Sequence, residues 1–446
     1  MKIRSLLIPI LSIWLAPLVL AQQTAQSLAD AELPSLLPIY KDLHSHPELS
    51  TKEERSSTIV AKELRGAGCE VTENFGKYDQ SGWKCYGVVG VMKNGSGPTV
   101  LVRTDMDALP VQEQTGAPYA SKVTMTNAEG KEMPVMHACG HDIHMSVFIG
   151  TARILGKLKD KWHGTIIFVG QPAEEMVGGA RAMLKGGLYD RFGKPDYALA
   201  LHDDAEIETG KIGITKGYCY ANVDSVDVTV KGMGGHGAYP YQTKDPIALS
   251  AEIINAWQTI ASRENNPIDP VVVTVGSIHG GTKHNIIPDD VKMQLTVRTY
   301  KPEVRQRVLA AIERIAKGCA TAAGLPPDKM PEVNVRKGES VNATYNNPEL
   351  TERVTEALKA ALGNDNVIQK NPTMGGEDFC EFSLADHSIP ACMFNVGAVA
   401  PEKVAESKKT GAQLPSLHSS NFLPVPEPTI RTGIIGMTTA VLDVMK

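Results

Sequence analysis

Short apolar runs alternate with amphipathic segments along the first half of the chain. Residues 87–92, 99–103 and 164–170 are apolar and rich in β-branched side chains, which predicts buried strands. Residues 144–158 have the apolar spacing of a helix. The alternation of the two patterns from about 28 to 217 indicates a parallel sheet with helices on its faces.

The pattern changes at about residue 222. The predicted elements that follow are strand 226–230, helix 246–262, strands 271–278 and 291–299, helix 303–323 and strand 332–335. This βαββαβ order is the ferredoxin-like plan and predicts an inserted domain over residues 222–342, called the inserted segment below. Residues 28–221 and 343–446 then form one discontinuous domain. The predicted fold class is α/β, with a mixed, mainly parallel sheet that carries helices on both faces.

The amino terminus has the layout of a cleaved signal peptide over residues 1–21. Two basic residues, Lys2 and Arg4, precede an apolar stretch over residues 6–20 that ends in Val-Leu-Ala at Ala21. A membrane anchor is the alternative, but the stretch is short for a bilayer span and two prolines interrupt it. We therefore expect an exported protein, periplasmic or secreted, with no membrane association after cleavage.

Composition narrows the class of protein further. The chain has 446 residues, of which 42% are hydrophobic and 21% charged, as in a soluble protein of two or three domains. Asp and Glu outnumber Lys and Arg, 50 to 45, so we expect no nucleic-acid partner. The seven cysteines are an odd number, and Cys139 is our candidate for a thiol outside any intrachain disulfide. Cys69 with Cys85 and Cys380 with Cys392 are close enough in sequence to bridge, and spacing leaves both pairings open.

Side chains that bind metals concentrate in residues 136–144. A thiol, Cys139, stands there among three imidazoles, donors suited to zinc and its neighbours. The alternative is a buried cysteine beside surface histidines. Glu174 and Glu175 directly follow a predicted strand, where open α/β sheets bind their ligands. Neighbouring side chains diverge, so one carboxylate can bind a metal while the other faces a substrate; a solvated acidic turn is the alternative.

Two isolated histidines extend this group. His202 ends another short apolar strand, and His418 lies near the carboxyl terminus. A lone histidine is more often structural than a metal ligand, but the four segments together predict a metal site. Asp107, in the segment 103–110 after a further strand, can orient a ligand imidazole through a hydrogen bond or can simply cap a turn.

These segments resemble those of the two-metal aminoacylases and carboxypeptidases, most closely the hippurate hydrolase and auxin-conjugate amidohydrolase branch. The matching motifs are HSHPELS at His44, RTDMDALP at Arg103, MHACGHDIH at Met136, QPAEE at Gln171, GGHGAYP at Gly234, HNIIPD at His284, MGGEDF at Met374 and LHSSNF at Leu417. They occur in the family's order over nearly the whole chain after the signal peptide. The resemblance implies that the discontinuous domain is a metal-binding catalytic domain and the inserted segment a lid and dimerisation domain.

The resemblance also implies a set of site residues. Two divalent metal ions per subunit would be bound by Cys139, His141, Glu175, His202 and His418. Glu174 would be the general base, with Asp107 orienting a ligand. One thiolate, three imidazoles and one carboxylate suit zinc, with manganese, cobalt and nickel as alternatives.

Three residues of the inserted segment would complete the site. By resemblance, His236 reaches the partner subunit's site in a homodimer and helps to hold the oxyanion. Asn285 and Arg298 match residues that bind a substrate carboxylate. Two positions depart from the branch: Tyr241 stands where a second histidine is common, and Gly376 where serine is more usual. Both departures leave the choice of substrate open.

The implied function is metal-dependent hydrolysis of the amide bond of an N-acyl amino acid or related conjugate, which releases a carboxylic acid and a free amino acid. An exported metallo-carboxypeptidase or dipeptidase is the alternative among enzymes, because the same groups would cleave a peptide bond. A non-catalytic protein that binds a metal or ligand is the alternative of another class. The presence of Glu174 argues against it, since a binding protein needs no general base.

Overall fold

A computed structural model describes residues 16–127 and 130–446, so most of the predicted signal peptide lies outside the described residues. The helices are α1 (Ala16–Ser45), α2 (Glu54–Gly66), α3 (His141–Lys157), α4 (Gly179–Lys185), α5 (Leu188–Phe192), α6 (Pro246–Thr259), α7 (Pro302–Ala322), α8 (Pro348–Leu362), α9 (Pro401–Thr410) and α10 (Pro426–Val444). Within those two ranges, no helix has the length and apolar character needed to cross a bilayer.

The strands divide between one large sheet and several smaller ones. They are β1 (Glu70–Phe75), β2 (Gly87–Asn94), β3 (Thr99–Asp105), β4 (Thr124–Thr126), β5 (Glu132–Pro134), β6 (Gly164–Gln171), β7 (Tyr197–Glu208), β8 (Ile212–Ile214), β9 (Gly217–Tyr220), β10 (Asn222–Lys231), β11 (Gly235–His236), β12 (Val272–His279), β13 (Ile286–Ile287), β14 (Asp290–Thr299), β15 (Glu332–Val335), β16 (Thr344–Asn346), β17 (Val367–Gln369) and β18 (Ala391–Val399).

The large sheet has eight strands in the order β1-β2-β6-β3-β7-β18-β8-β17. Its central strands β6, β3, β7 and β18 are parallel neighbours, and β17 is parallel to β8. The antiparallel pairs are β1 with β2, β2 with β6, and β18 with β8. The predicted α/β class, with a mixed and mainly parallel sheet, is confirmed.

Alternate side chains of the central strands enter two separate cores. Val100 and Val102 of β3 pack in a core with helices α1, α2, α3, α8 and α10. Leu101, between them, packs on the opposite face in a core with α4 and α5. Because both faces are covered, the strands are apolar on both sides, which explains why they read as continuous apolar runs.

A second sheet lies wholly within the inserted segment. Its order is β12-β14-β10-β15 with every neighbour antiparallel, and α6 and α7 cover one face. Along β14 the side chains alternate between buried and exposed positions, so the other face is open. β12 is an edge strand. The domain boundaries at 222 and 342 stay predictions.

The cysteines are all in the described part of the chain, and all seven are free. Neither of the two pairings that spacing left open is formed. Cys139, the candidate for a chemical role, is one of six buried thiols, so burial alone does not distinguish it. Its neighbours distinguish it, because its Sγ lies beside the imidazoles of His202 and His418.

Candidate metal centre

Three parallel strands bring the predicted site residues to one edge of the large sheet. β3 ends at Asp105, β6 ends at Gln171 just before Glu174, and β7 continues past its pairing with β3 to reach His202. Parallel strands present their carboxyl ends on the same side, where α/β proteins bind ligands. The residues are therefore neighbours in space although far apart in sequence.

Helix α3 starts at this edge and supplies two more residues. Gly140 caps the helix with φ 72°, a left-handed conformation that favours glycine. A Cβ at Gly140 would also lie 2.1 Å from Oδ2 of Asp203. The glycine thus permits a tight entry that places Cys139 just before the helix and His141 in its first turn.

The five predicted metal ligands meet in two groups that share Cys139. Its Sγ lies 3.5 Å from Nε2 of His202 and 3.2 Å from Nε2 of His418. Glu175 Oε2 is 3.6 Å from His418 Nε2, and its Oε1 is 3.9 Å from His141 Nε2. In each group, Cys139 with His141 and His202, and Cys139 with Glu175 and His418, the donor atoms lie within 4.8 Å of one another. This arrangement fits two metal ions with a common thiolate ligand.

Unpartnered polar atoms support that fit. His141 Nε2 and Glu175 Oε1 are buried and have no hydrogen-bond partner among the described residues. Leaving a buried polar atom without a partner is costly, so both atoms are available to a metal. Burial and the charges of Glu175 and Glu174 raise the pKa of the Cys139 thiol well above its usual range. The thiolate therefore needs a neighbouring cation to form.

Backbone carbonyls set the orientation of two ligand imidazoles. His141 Nδ1 donates to the Asp107 carbonyl at 2.8 Å, and His202 Nδ1 donates to the Asp203 carbonyl at 2.7 Å. A carbonyl oxygen only accepts, so each Nδ1 carries the hydrogen and each Nε2 offers a lone pair to the site when the ring is neutral. Burial disfavours a charged His141, but Asp105, Asp107 and Glu175 raise its pKa to about 10. The surplus of carboxylates around this ring favours binding of a cation.

Asp107 positions the turn that carries both glutamates. Its Oδ1 accepts from the Glu174 backbone N–H and its Oδ2 from the Glu175 N–H, both at 3.0 Å. Ser50 Oγ donates to Oδ2 at 2.6 Å. Together with its carbonyl contact to His141, this makes Asp107 a link between both glutamates and one imidazole.

Glu53 binds the same turn and was not predicted from the sequence. Its buried carboxylate accepts from the Ala173 N–H at 2.9 Å, so carboxylates bind three successive N–H groups of the turn. Ala173 has φ 49°, a conformation that a non-glycine residue adopts only when its surroundings hold it there. Glu53 lies three residues after the HSHPELS motif, a position that could have drawn attention to it.

His144, one of the three imidazoles noted in residues 136–144, and Asp203 were assigned no role from the sequence. His144 Nδ1 lies 2.7 Å from Asp105 Oδ1, and its Nε2 accepts the Asp203 N–H at 2.8 Å. Asp203 Oδ1 lies 3.1 Å from Nδ1 of His202. A carboxylate next to a ligand histidine in sequence is a recognisable signal, because such pairs commonly orient metal ligands.

Glu174 faces the metal-ligand group from a buried position. Its Oε2 is 4.0 Å from His141 Nε2, and its side chain is almost completely inaccessible. Burial, then the charges of Glu377 and Glu175, raise its pKa well above the usual value for a carboxyl group. A raised pKa makes a carboxylate a stronger base near neutral pH.

A buried arginine binds the carboxylates behind Glu174. Arg103 donates to Gln171 Oε1 at 2.8 Å, to Asp105 Oδ2 at 2.6 Å and to Glu377 Oε1 at 2.8 Å. It also reaches Asp378 Oδ1 at 3.2 Å. These contacts join RTDMDALP to MGGEDF, two motifs that are distant in sequence.

The three predicted residues of the inserted segment lie outside the two predicted ligand groups. The described contacts of His236 stay within the inserted segment: it is exposed, accepts from the Ala238 N–H at 3.0 Å and stacks near Tyr239. Asn285 is exposed as well. Arg298 is half-buried and donates to Thr296 Oγ1 at 2.9 Å. The chain therefore brings the predicted metal ligands and Glu174 together but leaves His236 and Asn285 on the surface.

Gly376 lies where the inserted segment meets the main domain. A Cβ there would be 2.3 Å from Cγ2 of Val223 and 3.3 Å from Nη1 of Arg298. Serine, the more usual residue, would require the Val223 side chain to shift. The departure noted in the sequence thus has a steric reason and brings Arg298 close to the MGGEDF motif.

Several known proteins are similar to this chain in sequence or in fold. Residues 101–413 match Peptidase family M20/M25/M40. Thermostable carboxypeptidase 1 of Saccharolobus solfataricus is 35% identical over 404 residues, which cover 90% of this chain and 93% of that protein. Hippurate hydrolase of Campylobacter jejuni is 36% identical over 356 residues, 79% and 86% of the two chains. A solved Bacillus subtilis structure, described as a dinuclear metal binding peptidase from the M20 family, matches with TM-score 0.72 and 28% identity over 94% of this chain and 100% of that chain.

Proposed function

The chain belongs to peptidase family M20/M25/M40 and is a hydrolase of amide bonds, and from this premise we propose that it cleaves N-acyl amino acids or related conjugates. The products are a carboxylic acid and a free amino acid. The observation that carries the proposal is the position of buried Glu174 beside two ligand groups that share Cys139. Relatives named hippurate hydrolase and N-acyl-L-amino acid amidohydrolase support this class of substrate.

In this proposal the two ligand groups hold two divalent ions, zinc being best matched to the donors. Cys139 is shared, His141 and His202 complete one group, and Glu175 and His418 complete the other. When bound, the ions polarise the scissile carbonyl and make water a better nucleophile at neutral pH. Manganese, cobalt and nickel are the alternatives for this mixture of donors.

Glu174 moves the proton in the proposed reaction. Its carboxylate accepts a proton from the attacking water, and the same oxygen then donates that proton to the nitrogen of the departing amine. The position of Glu174 beside the two ligand groups lets one carboxylate serve in both proton transfers. Asp107 and Glu53 hold the backbone of the turn while the proton moves.

A large cavity beside Glu175 offers room for the substrate. Its volume is about 1030 Å³, and its lining includes Trp83, Tyr86, Leu109, Met125 and Met176. A site of this size, which polar residues such as Lys52, Lys84 and Asn127 also line, has room for an aromatic or longer acyl group. The same volume also suits a second residue of a peptide, and a carboxypeptidase of similar sequence keeps that activity as the second candidate.

We further propose a homodimer formed through the inserted segment. Of the eight large apolar side chains that are exposed among the described residues, all but Met176 lie in this segment. The edge strand β12 has unpaired backbone groups and carries exposed Ile278, which is a suitable pairing surface. In such a dimer the exposed His236 would be supplied to the site of the second copy, where it would bind the developing oxyanion.

Substrate binding and export complete the proposal. Arg298 and Asn285 would bind the carboxylate of the amino-acid product side, as in the family that the motifs resemble. Export to the periplasm or the medium follows from the signal-peptide pattern over residues 1–21.

A substrate panel tests the function. The mature protein would be stripped with chelator, reloaded separately with zinc, manganese or cobalt, and assayed on N-acetyl, N-benzoyl and indole-acetyl amino acids and on dipeptides. We expect metal-dependent release of free amino acid from the acyl conjugates, fastest with the aromatic acyl groups. Preferential cleavage of dipeptides would favour the carboxypeptidase alternative, and metal-loaded protein that hydrolyses none of them would contradict the proposal.

A further inference from the structure

One arginine ties the turn of the two glutamates to the chain that returns from the inserted segment. Arg181, in α4, donates from Nη2 to the carbonyls of Val177 and Ser340, both at 2.6 Å. Its Nη1 donates to the carbonyl of Lys337 at 3.0 Å. Lys337 and Ser340 belong to residues 336–343, called the return linker below. A single planar guanidinium therefore binds two parts of the molecule that are distant in sequence.

Val177 closes the turn that carries Glu174 and Glu175. Its N–H donates to the Glu174 carbonyl at 2.6 Å, and it adopts φ 48°. A β-branched residue rarely takes this left-handed conformation, which persists only when outside contacts hold it. The Arg181 contact to the Val177 carbonyl is one of those.

An apolar cluster makes the same connection independently. Val177 packs against Val223, Val341 and Cys380. Val223 lies where the chain enters the inserted segment and Val341 where it returns, and these two exchange backbone hydrogen bonds of 3.0 and 2.9 Å. Both chain crossings therefore meet at the residue that closes the glutamate turn.

We propose that Arg181 is a positioning residue that couples the placement of the inserted segment to the placement of Glu174 and Glu175. Displacement of the return linker pulls on the guanidinium, which moves the Val177 carbonyl and with it the turn. The inserted segment then acts on the metal-ligand group from within its own chain. The catalytic consequence rests on the proposed amide hydrolysis, whereas the mechanical coupling does not.

The test compares Arg181→Gln with a matched control in the full-length zinc-loaded protein. Arg336 also holds the return linker, but to Asp227 of β10 at 2.5 and 2.8 Å and not to the turn. Arg336→Gln therefore removes one side-chain contact of the linker but keeps the backbone bonds of Arg336 to Ser225 and of Val341 to Val223, so the linker stays in place and the turn is left alone. Deuterium uptake would be measured for residues 174–179 and 336–343, with kcat and KM for N-benzoylglycine. Arg181→Lys, which keeps the charge but not the planar fork, serves if Arg181→Gln fails to fold.

We expect Arg181→Gln to raise uptake in both segments and to lower kcat roughly tenfold to a hundredfold at unchanged KM, because the base is misplaced while binding is not. Arg181→Lys should fall between this variant and the parent, and Arg336→Gln should raise uptake in the return linker only, at parental kcat. For Arg181→Gln, increased deuterium uptake confined to the return linker, or a parental kcat, would overturn the proposal. An equal loss of kcat in Arg336→Gln would overturn it as well. If the parent hydrolyses no amide, the proposed function fails while the exchange data still decide the coupling.

Discussion

The metal-ligand groups and the predicted residues of the inserted segment differ in how the chain holds them. Glu174, His141 and Asp107 are buried and bound on several sides by residues of the main domain. His236 and Asn285 are exposed and contact only their own segment among the described contacts. Under the proposed function, one half of the site is preorganised within a chain, whereas the other half must be delivered by movement or by a second copy.

Removing the shared thiolate should have the largest effect on the preorganised half. Cys139 belongs to both ligand groups, so Cys139→Ala takes a donor from each. We expect fewer than about one tightly bound zinc per chain and no measurable hydrolysis, because metal affinity depends on a complete deprotonated ligand set. Elemental analysis after gel filtration measures this, with buried Cys392→Ala as the control that retains both ions.

If His236 acts in the site of a second copy, two inactive variants should regain activity when their chains are mixed. His236→Ala should lower kcat about 10²- to 10³-fold, the usual cost of losing one oxyanion donor. Mixed and exchanged with Glu174→Gln chains, it should regain up to about a quarter of parental activity, because heterodimers carry one intact site. Sedimentation of the same samples should show dimers; a fully active monomer, or mixtures that stay inactive after exchange, would refute the shared site.

Asp107→Asn should have an intermediate effect on the preorganised half. The amide keeps the shape but offers one acceptor oxygen, so one of the two N–H groups of Glu174 and Glu175 loses its partner. Changes next to ligands typically cost 10- to 100-fold in metal affinity or activity. Competition with a zinc chelator would measure the zinc affinity. Unchanged affinity together with unchanged kcat would show that the turn of Glu174 and Glu175 keeps its conformation without the Asp107 carboxylate.

A substitution at Gly376, where the inserted segment meets the main domain, should have the smallest effect. Gly376→Ser places an atom against Val223 and should destabilise the fold by about 1–3 kcal/mol, the usual range for overpacking. The matched control is Gly375→Ser, whose nearest contact would be an ordinary 3.7 Å. Denaturant unfolding of both variants checks the difference, and equal stabilities would mean that the inserted segment shifts freely at this point.

Local patterns predicted the parts of the fold where burial leaves a periodic signal. Residues 87–92, 99–103 and 164–170 became β2, β3 and β6, because strands covered on both faces are continuously apolar. Helix α10 escaped notice since 14 of its 19 residues are buried, which leaves little of the polar face that reveals a helix. The short strand β17 pairs in register with β8, a contact that only the tertiary structure creates.

The candidate site likewise divides into residues that short motifs reveal and contacts that only the tertiary structure creates. Cys139, His141, Glu174 and Glu175 were identifiable because their residue types are concentrated in short motifs. The contacts that orient them were not, since Glu53 binds Ala173 across 120 residues and Arg103 binds Glu377 across 274. Such pairings depend on how strands and helices meet, and no local pattern encodes them.

Metal content and turnover of Glu174→Gln separate metal binding from proton transfer. In the proposed mechanism the two Cys139 groups hold the ions and Glu174 transfers the proton, so loss of the carboxylate leaves metal binding intact. We expect zinc content equal to that of the parent and kcat lowered about 10²- to 10⁴-fold, the usual contribution of a general base. Loss of zinc in this variant, or turnover close to the parental value, would contradict the account.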